Sequence, residues 1–342
     1  MLRYKLLGRS GLRVSELALG TMTFGEEWGW GASKAESKAM FDLYAEAGGN
    51  FIDTANRYTE GTSERYVGEF VKGDREHFVV ATKYTLFMRR DDPNFCGNHR
   101  KNMVQALEAS LKRLGTDYLD LYWVHAWDFT TPTEEVMRAL DDLVRAGKVL
   151  HVGISDTPAW VVSRANTLAD LRGWTSFVGL QIRYSLIDRT AERELLPMAR
   201  AFDMAVTPWS VLGAGVLTGK YLQNAAATGR AKDGAAKVDR NLQIAKVVVE
   251  LASRIGCTPP QVAVSWVRQQ AGVVVPLIGA RDCLQLKDNL GALEVTLTQE
   301  QLAQLSEASQ IELGFPHDFL GSQAIQDIVF GGTQDLIGNH RI

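Results

Sequence analysis

The stretch Phe51-Ile52-Asp53-Thr54-Ala55-Asn56-Arg57-Tyr58 decides how this chain is read. Two apolar residues run straight into a carboxylate, and a tyrosine follows within one short turn. That is the pattern of a buried strand opening into a loop, and the C-terminal ends of strands are where chemistry collects in α/β folds. Asp53 stands too close to the apolar run to be cheaply solvated, so it needs a cationic partner from elsewhere in the chain. Without that partner the stretch reads equally well as a structural carboxylate capping the next turn.

Outward from this strand the same unit repeats. Residues 4–14 read as a hairpin around Gly8-Arg9-Ser10-Gly11. Apolar strand patterns follow at 17–21, 51–53, 78–83, 118–125, 149–155, 177–181, 205–210 and 273–278. Helical patterns fall between them at 34–47, 62–71, 100–114, 133–146, 158–171, 191–202, 241–255, 260–271 and 282–292, with a last amphipathic one at 298–309. Residues 213–236 read as a long loop and the tail from 314 to 342 as loop. Near-continuous apolar strands separated by helices imply a parallel sheet covered by those helices. An open doubly wound sheet and a closed barrel both satisfy this. The barrel is favoured because no shift in composition marks a boundary and polar residues end successive strands all along the chain. The expected fold is α/β, a single (β/α)8 TIM barrel over residues 1–342 with an N-terminal hairpin and an extra C-terminal helix and tail.

Composition narrows the function. With 46% hydrophobic residues the chain supports a large core, and a net charge of -3 with dispersed Lys and Arg argues against a nucleic-acid partner. Cys96, Cys257 and Cys283 are odd in number and widely spaced, so neither a disulfide framework nor a metal site is expected. No signal peptide and no membrane-spanning apolar run is visible, which leads to the expectation of a soluble, cytoplasmic protein with no membrane partner. Self-association into a homo-oligomer stays open.

The strand ends supply the missing partner. Strand two of the barrel gives Asp53 with Tyr58 just beyond, strand three gives Lys83 and strand four gives His125. Neighbouring strand ends share one mouth, so Lys83 is the expected counter-charge of Asp53. An ammonium beside Tyr58 is expected to lower the phenol's pKa, so that it donates a proton near neutral pH. His125 can hydrogen-bond and orient a carbonyl, and the set then polarises a C=O and protonates the developing alkoxide. Singly, each residue reads as an ordinary strand-end group; four complementary types in consecutive units outweigh that reading.

Phe-Ile-Asp-Thr-Ala-x-x-Tyr at 51–58, Ala-Thr-Lys at 81–83 and Val-His at 124–125, in this order, resemble the aldo-keto reductases. The likeness runs from the hairpin to about residue 305, and it is closest to the branch holding bacterial aldo-keto reductases and potassium-channel β subunits. It implies a (β/α)8 oxidoreductase that uses NADP(H), with Asp53, Tyr58, Lys83 and His125 as the catalytic tetrad and small carbonyl compounds or alcohols as substrates. It also implies a cofactor trail: Gly20, Thr21 and Met22; Asp53 at its floor; Ser155, Asp156 and Gln181 for the carboxamide; Trp209, Ser210, Val211, Leu212, Gly213, Gly215 and Lys220 for the pyrophosphate loop; Arg230 as a further cation; and Gly279, Arg281, Gln285, Asp288 and Asn289 for the adenosine end. Asp156 stands where the family often has Asn, and an ionised Asp offers no donor. Arg281 is placed for a 2'-phosphate. The segment 213–220 fails the P-loop pattern at Ala214 and Tyr221.

Substrate contacts are expected from Trp28, Trp30, Tyr58, Tyr84, His125 and Trp127, a mix that suits apolar or aromatic carbonyl compounds. Two other functions compete with carbonyl reduction. One is a cofactor-binding regulatory subunit of a membrane channel, which the short N-terminal segment disfavours. The other is a lyase or isomerase using Lys83 as a Schiff base, which leaves Tyr58 and Arg281 without a role.

Overall fold

The computed structural model describes residues 2–223 and 234–339. An antiparallel hairpin, β1 (Tyr4–Leu6) and β2 (Arg13–Ser15), opens the chain. Eight parallel strands follow: β3 (Ala18–Gly20), β4 (Phe51–Asp53), β5 (Val79–Tyr84), β6 (Leu119–Val124), β7 (Val149–Ser155), β8 (Gly179–Arg183), β9 (Ala205–Trp209) and β10 (Leu277–Ile278). They pair in sequence order, and β10 returns to pair with β3. Two backbone bonds close the seam beside β9: Val206 N–H donates to Val273 O at 2.7 Å, and Val275 N–H to Val206 O at 2.8 Å. Helices between the strands form the outer layer, so the fold is a (β/α)8 barrel with an N-terminal hairpin.

The strand period of two sorts side chains between two cores. Phe51, Val79, Ala81, Leu121, Trp123, Ala205 and Val275 point into the barrel and pack with Leu7, Leu12 and Val14 of the hairpin segment, which plugs one end. Ile52, Val80, Tyr122 and Val124, the residues of opposite parity, pack outward against the helices. Trp123 fills the barrel interior because two neighbours are glycines. A Cβ on Gly153 would lie 2.3 Å from its ring, and one on Gly179 would lie 2.9 Å away. Above this apolar layer the inward parity continues into Asp53, Lys83, His125, Ser155 and Gln181. The register that fills the core thus also puts the polar groups on one floor.

Four expectations need correction. The last strand is shorter than 273–278, because Pro276 has no N–H to give a ladder; its carbonyl instead accepts from Ala18 N–H at 2.9 Å. The helix expected at 191–202 is a 3-10 turn, Thr190–Glu192, followed by a short helix, Leu195–Ala201, with Pro197 tolerated in its first turn. The expected loop 213–236 contains a 3-10 segment, Gly213–Thr218, and a short helix, Lys220–Gln223, before the part lying outside the described residues. The tail is not loop throughout: it holds two short helices, His317–Gly321 and Gln323–Phe330. Among the described residues no helix is long and apolar enough to cross a membrane.

Candidate active site

Three adjacent strand ends bring the four predicted residues together. Asp53 ends β4, Lys83 lies at the end of β5, and His125 follows β6. Lys83 is fully buried and ion-pairs with the equally buried Asp53. Its ammonium also donates to Thr54 O at 2.8 Å and to Tyr58 Oη at 3.1 Å. The second oxygen of Asp53 accepts from Gln181 Nε2 at 3.0 Å. Tyr58 is part-buried, and its ring stands edge-on to His125 with centroids 5.9 Å apart.

Electrostatics modify one expectation. Burial, the largest influence on Tyr58, pushes its phenol above the ordinary value, and the charge of Lys83 opposes that without overcoming it. Lys83 does act in the expected direction, but burial outweighs it and the phenol is held protonated. Burial pulls Lys83 down, but Asp53 and Tyr58 outweigh it, so the amine stays charged. Paired with Asp53 and donating to Tyr58, Lys83 is placed to support the phenol rather than to act as a nucleophile. His125 is held well below 6.5 by burial and then by Lys83, so its ring is neutral. It faces the cleft, with Nδ1 buried and unpartnered.

The tetrad opens into a cleft of about 1220 Å³, above the ordinary range for a single small ligand. Gly20, Met22, Asp53, Tyr58, His125, Ser155, Asp156 and Gln181 line the end at the barrel mouth. Trp209 to Gly213, Gly215, Lys220, Gly279, Arg281, Gln285, Asp288 and Asn289 also line it. Ser210, Gly213, Ala214 and Gly215 all have positive φ, between 54° and 95°. Two of them carry side chains, a strained backbone of the sort that gathers at ligand sites. Trp209 Nε1 donates to Asp156 Oδ1 at 3.2 Å. Burial raises the Asp156 carboxyl, against the Trp209 hydrogen bond and the charge of Lys83. When protonated it regains the donor that an ionised Asp lacks.

Asp282, next to Arg281, is not on the cleft wall. It caps the helix Cys283–Leu290, accepting from Gln285 N–H at 2.8 Å and Gln285 Nε2 at 2.6 Å. Arg281 is exposed, and among the described residues its guanidinium makes no ion pair. The cleft thus gathers amide, carboxyl, lysine and arginine groups around a backbone turn of positive φ.

Not every predicted residue reaches the cleft. Thr21 is fully buried and donates to Asp53 O at 3.0 Å, bracing the strand end from behind. Tyr84 is one residue past Lys83, hence of outward parity: it is fully buried, stacks on Tyr122 and donates to Asn98 O at 3.2 Å. It therefore cannot touch a substrate in the cleft. Trp127 packs half-buried on the outer core and is also off the cleft wall. Asp288 is on the wall, but its carboxylate is engaged by Thr258 Oγ1 at 2.6 Å and Gln261 Nε2 at 3.0 Å. Arg230 lies outside the described residues. Trp28 and Trp30 do line the cleft, as do Arg57, Leu86, Arg183 and Asp188, which the sequence reading did not select. Arg57 carried a signal in its place directly before Tyr58; the others carried none.

Comparison with known proteins identifies one family. The profile of the Aldo/keto reductase family matches residues 16–310. The chain is 41% identical to a norsolorinic acid reductase of Emericella nidulans, over 91% of this chain and 82% of that protein. It is 37% identical to the aryl-alcohol dehydrogenase [NADP(+)] of Phanerodontia chrysosporium, over 93% and 89% of the two chains. A putative aryl-alcohol dehydrogenase of Saccharomyces cerevisiae is 36% identical over 93% and 90%. Because that profile covers most of its length, the chain belongs to the aldo/keto reductase family.

Proposed function

We propose that the protein is an NADPH-dependent reductase of aldehydes and ketones, reversible as an alcohol dehydrogenase, and that aromatic carbonyl compounds are its substrate class. The observation that carries this reading is the 3.1 Å hydrogen bond from a buried, charged Lys83 to a protonated Tyr58 at the wall of the cleft. When bound, the nicotinamide supplies a hydride to the carbonyl carbon. Tyr58 gives its phenolic proton to the carbonyl oxygen as negative charge develops there. Lys83 stabilises the phenolate left behind, and Asp53 holds Lys83 charged and in place. Neutral His125 offers one N–H to the carbonyl and fixes its direction without competing for the proton. Trp28 and Trp30, with ring centroids 5.6 Å apart, supply an aromatic wall beside Tyr58. The names of the relatives, aryl-alcohol dehydrogenases among them, favour the same class.

A panel of aryl and short aliphatic aldehydes and ketones, followed by loss of NADPH absorbance, tests the reading. Aryl aldehydes should be consumed with higher kcat/KM than aliphatic ones. A panel in which no carbonyl compound oxidises NADPH would overturn the activity, and an aliphatic preference would overturn the substrate class.

A further inference from the structure

Arg57 stands directly before Tyr58 and lines the same cleft. Its guanidinium lies 4.5 Å from the centre of the Phe87 ring, and Arg90 places a second guanidinium 4.7 Å from that ring. Stacking on Phe87 orders the fork in advance, so little further entropy is lost when it binds an anion. The nearby carboxylates do not fill it. Arg89 engages Asp92, and Asp91 is exposed. Glu60 is the one carboxylate paired with Arg57 among the described residues, through Nη1. That leaves the N–H groups on Nε and Nη2.

The way Glu60 gets there is informative. Thr59 and Glu60 both take left-handed backbone, with φ 44° and 55°, directly after Tyr58. Non-glycine residues hold that conformation at a cost of roughly 1–3 kcal/mol each. Thr59 is anchored by donating to Phe24 O at 2.6 Å and accepting from Ser63 N–H at 3.2 Å. Glu60 then swings back to Arg57 and accepts from Trp28 Nε1 at 3.3 Å, although it is not itself part of the cleft wall. Arg57 thus holds N–H groups toward the cleft that its one paired carboxylate does not use, near the aromatic wall of Trp28 and Trp30.

We propose that Arg57 is a specificity-determining residue that selects aromatic carbonyl compounds bearing a carboxylate on the ring, away from the reacting carbonyl. The proposal rests on the carbonyl-reductase reading above. Glu60 already shows a carboxylate on this guanidinium; an acidic substrate binds the N–H groups that Glu60 leaves.

The test compares 4-carboxybenzaldehyde with methyl 4-formylbenzoate, which differ in the charge of one group. For the full-length protein with NADPH, kcat/KM is measured for both, and binding of both is measured separately by quenching of tryptophan fluorescence. The acid should be favoured roughly tenfold, the low end for a charged hydrogen bond at a part-exposed site. Arg57→Met should bring the acid-to-ester ratio close to one, Arg57→Lys should keep part of it, and Glu60→Gln should raise it by removing the competing charge. Equal use of acid and ester by the wild type, or an unchanged ratio in Arg57→Met, overturns the inference while leaving the carbonyl-reductase reading intact. If neither aldehyde is reduced but acid binding still follows Arg57, the activity falls and the anion site stands. Binding that ignores charge in every variant overturns the site whatever the turnover.

Discussion

Lys83→Met perturbs the site at its most buried point. Both members of the Lys83–Asp53 pair are shielded from water, with side-chain exposures of 0% and 1%. Methionine fills the space of the lysine stem but leaves Asp53 with only the Gln181 amide at 3.0 Å as a side-chain partner. Removing one partner of a buried pair typically costs about 3–5 kcal/mol, roughly a third of a domain's total stability. Asp53→Asn should cost less, because Lys83 keeps Thr54 O and Tyr58 Oη. The double variant Asp53→Asn/Lys83→Met buries no unpaired charge. It should therefore be more stable than the two single losses added together, by about 2 kcal/mol or more. Urea unfolding of all four proteins at pH 7, followed by circular dichroism, gives each free energy from midpoint and slope. Losses that simply add, within about 0.5 kcal/mol, would refute the reasoning that the two charges are held against one another.

Two further variants follow from the site. The folded state holds His125 below 6.5, so it binds fewer protons than the unfolded chain as pH falls past that value. The stability linked to neutral His125 is present above about pH 6.5 and is lost at more acid pH, so His125→Asn should match the wild-type pH dependence above this point and be flatter below it. Parallel unfolding curves for the two proteins from pH 7 to pH 5 would contradict that. Arg281→Ala should weaken NADPH binding by about 1.5 kcal/mol, the low end for a charged hydrogen bond at an exposed site, and leave NADH binding nearly unchanged. Fluorescence titration with both cofactors checks this, and equal weakening of the two would mean that Arg281 does not read the 2'-phosphate.

The period of the apolar runs made the barrel legible, because parallel strands covered on both faces need continuous hydrophobicity. It also located the floor of the site, since Asp53, Lys83 and His125 close their runs. The same rule, applied one residue further, would have excluded Tyr84, whose parity sends it outward to Tyr122. What stayed hidden depends on three-dimensional balance. The direction of the Tyr58 shift is a contest between burial and Lys83, and only the burial observed at the site decides it. The turn that returns Glu60 to Arg57 needs two left-handed residues without a glycine, for which Thr59 and Glu60 give no composition signal. The tail helices are short and leave Phe319, Leu320, Ile328 and Val329 exposed, so no core-facing stripe marks them in the sequence.

The most direct test is the single-turnover rate of aryl aldehyde reduction by Tyr58→Phe at neutral pH, with NADPH affinity measured on the same sample. Phenylalanine keeps the ring against His125 and leaves Lys83 paired with Asp53, so the change removes the transferable proton and little else. The rate should fall by roughly 100- to 10,000-fold while NADPH affinity stays the same. A variant that reduces the aldehyde within a few-fold of the wild-type rate would contradict the assignment of Tyr58 as the proton donor.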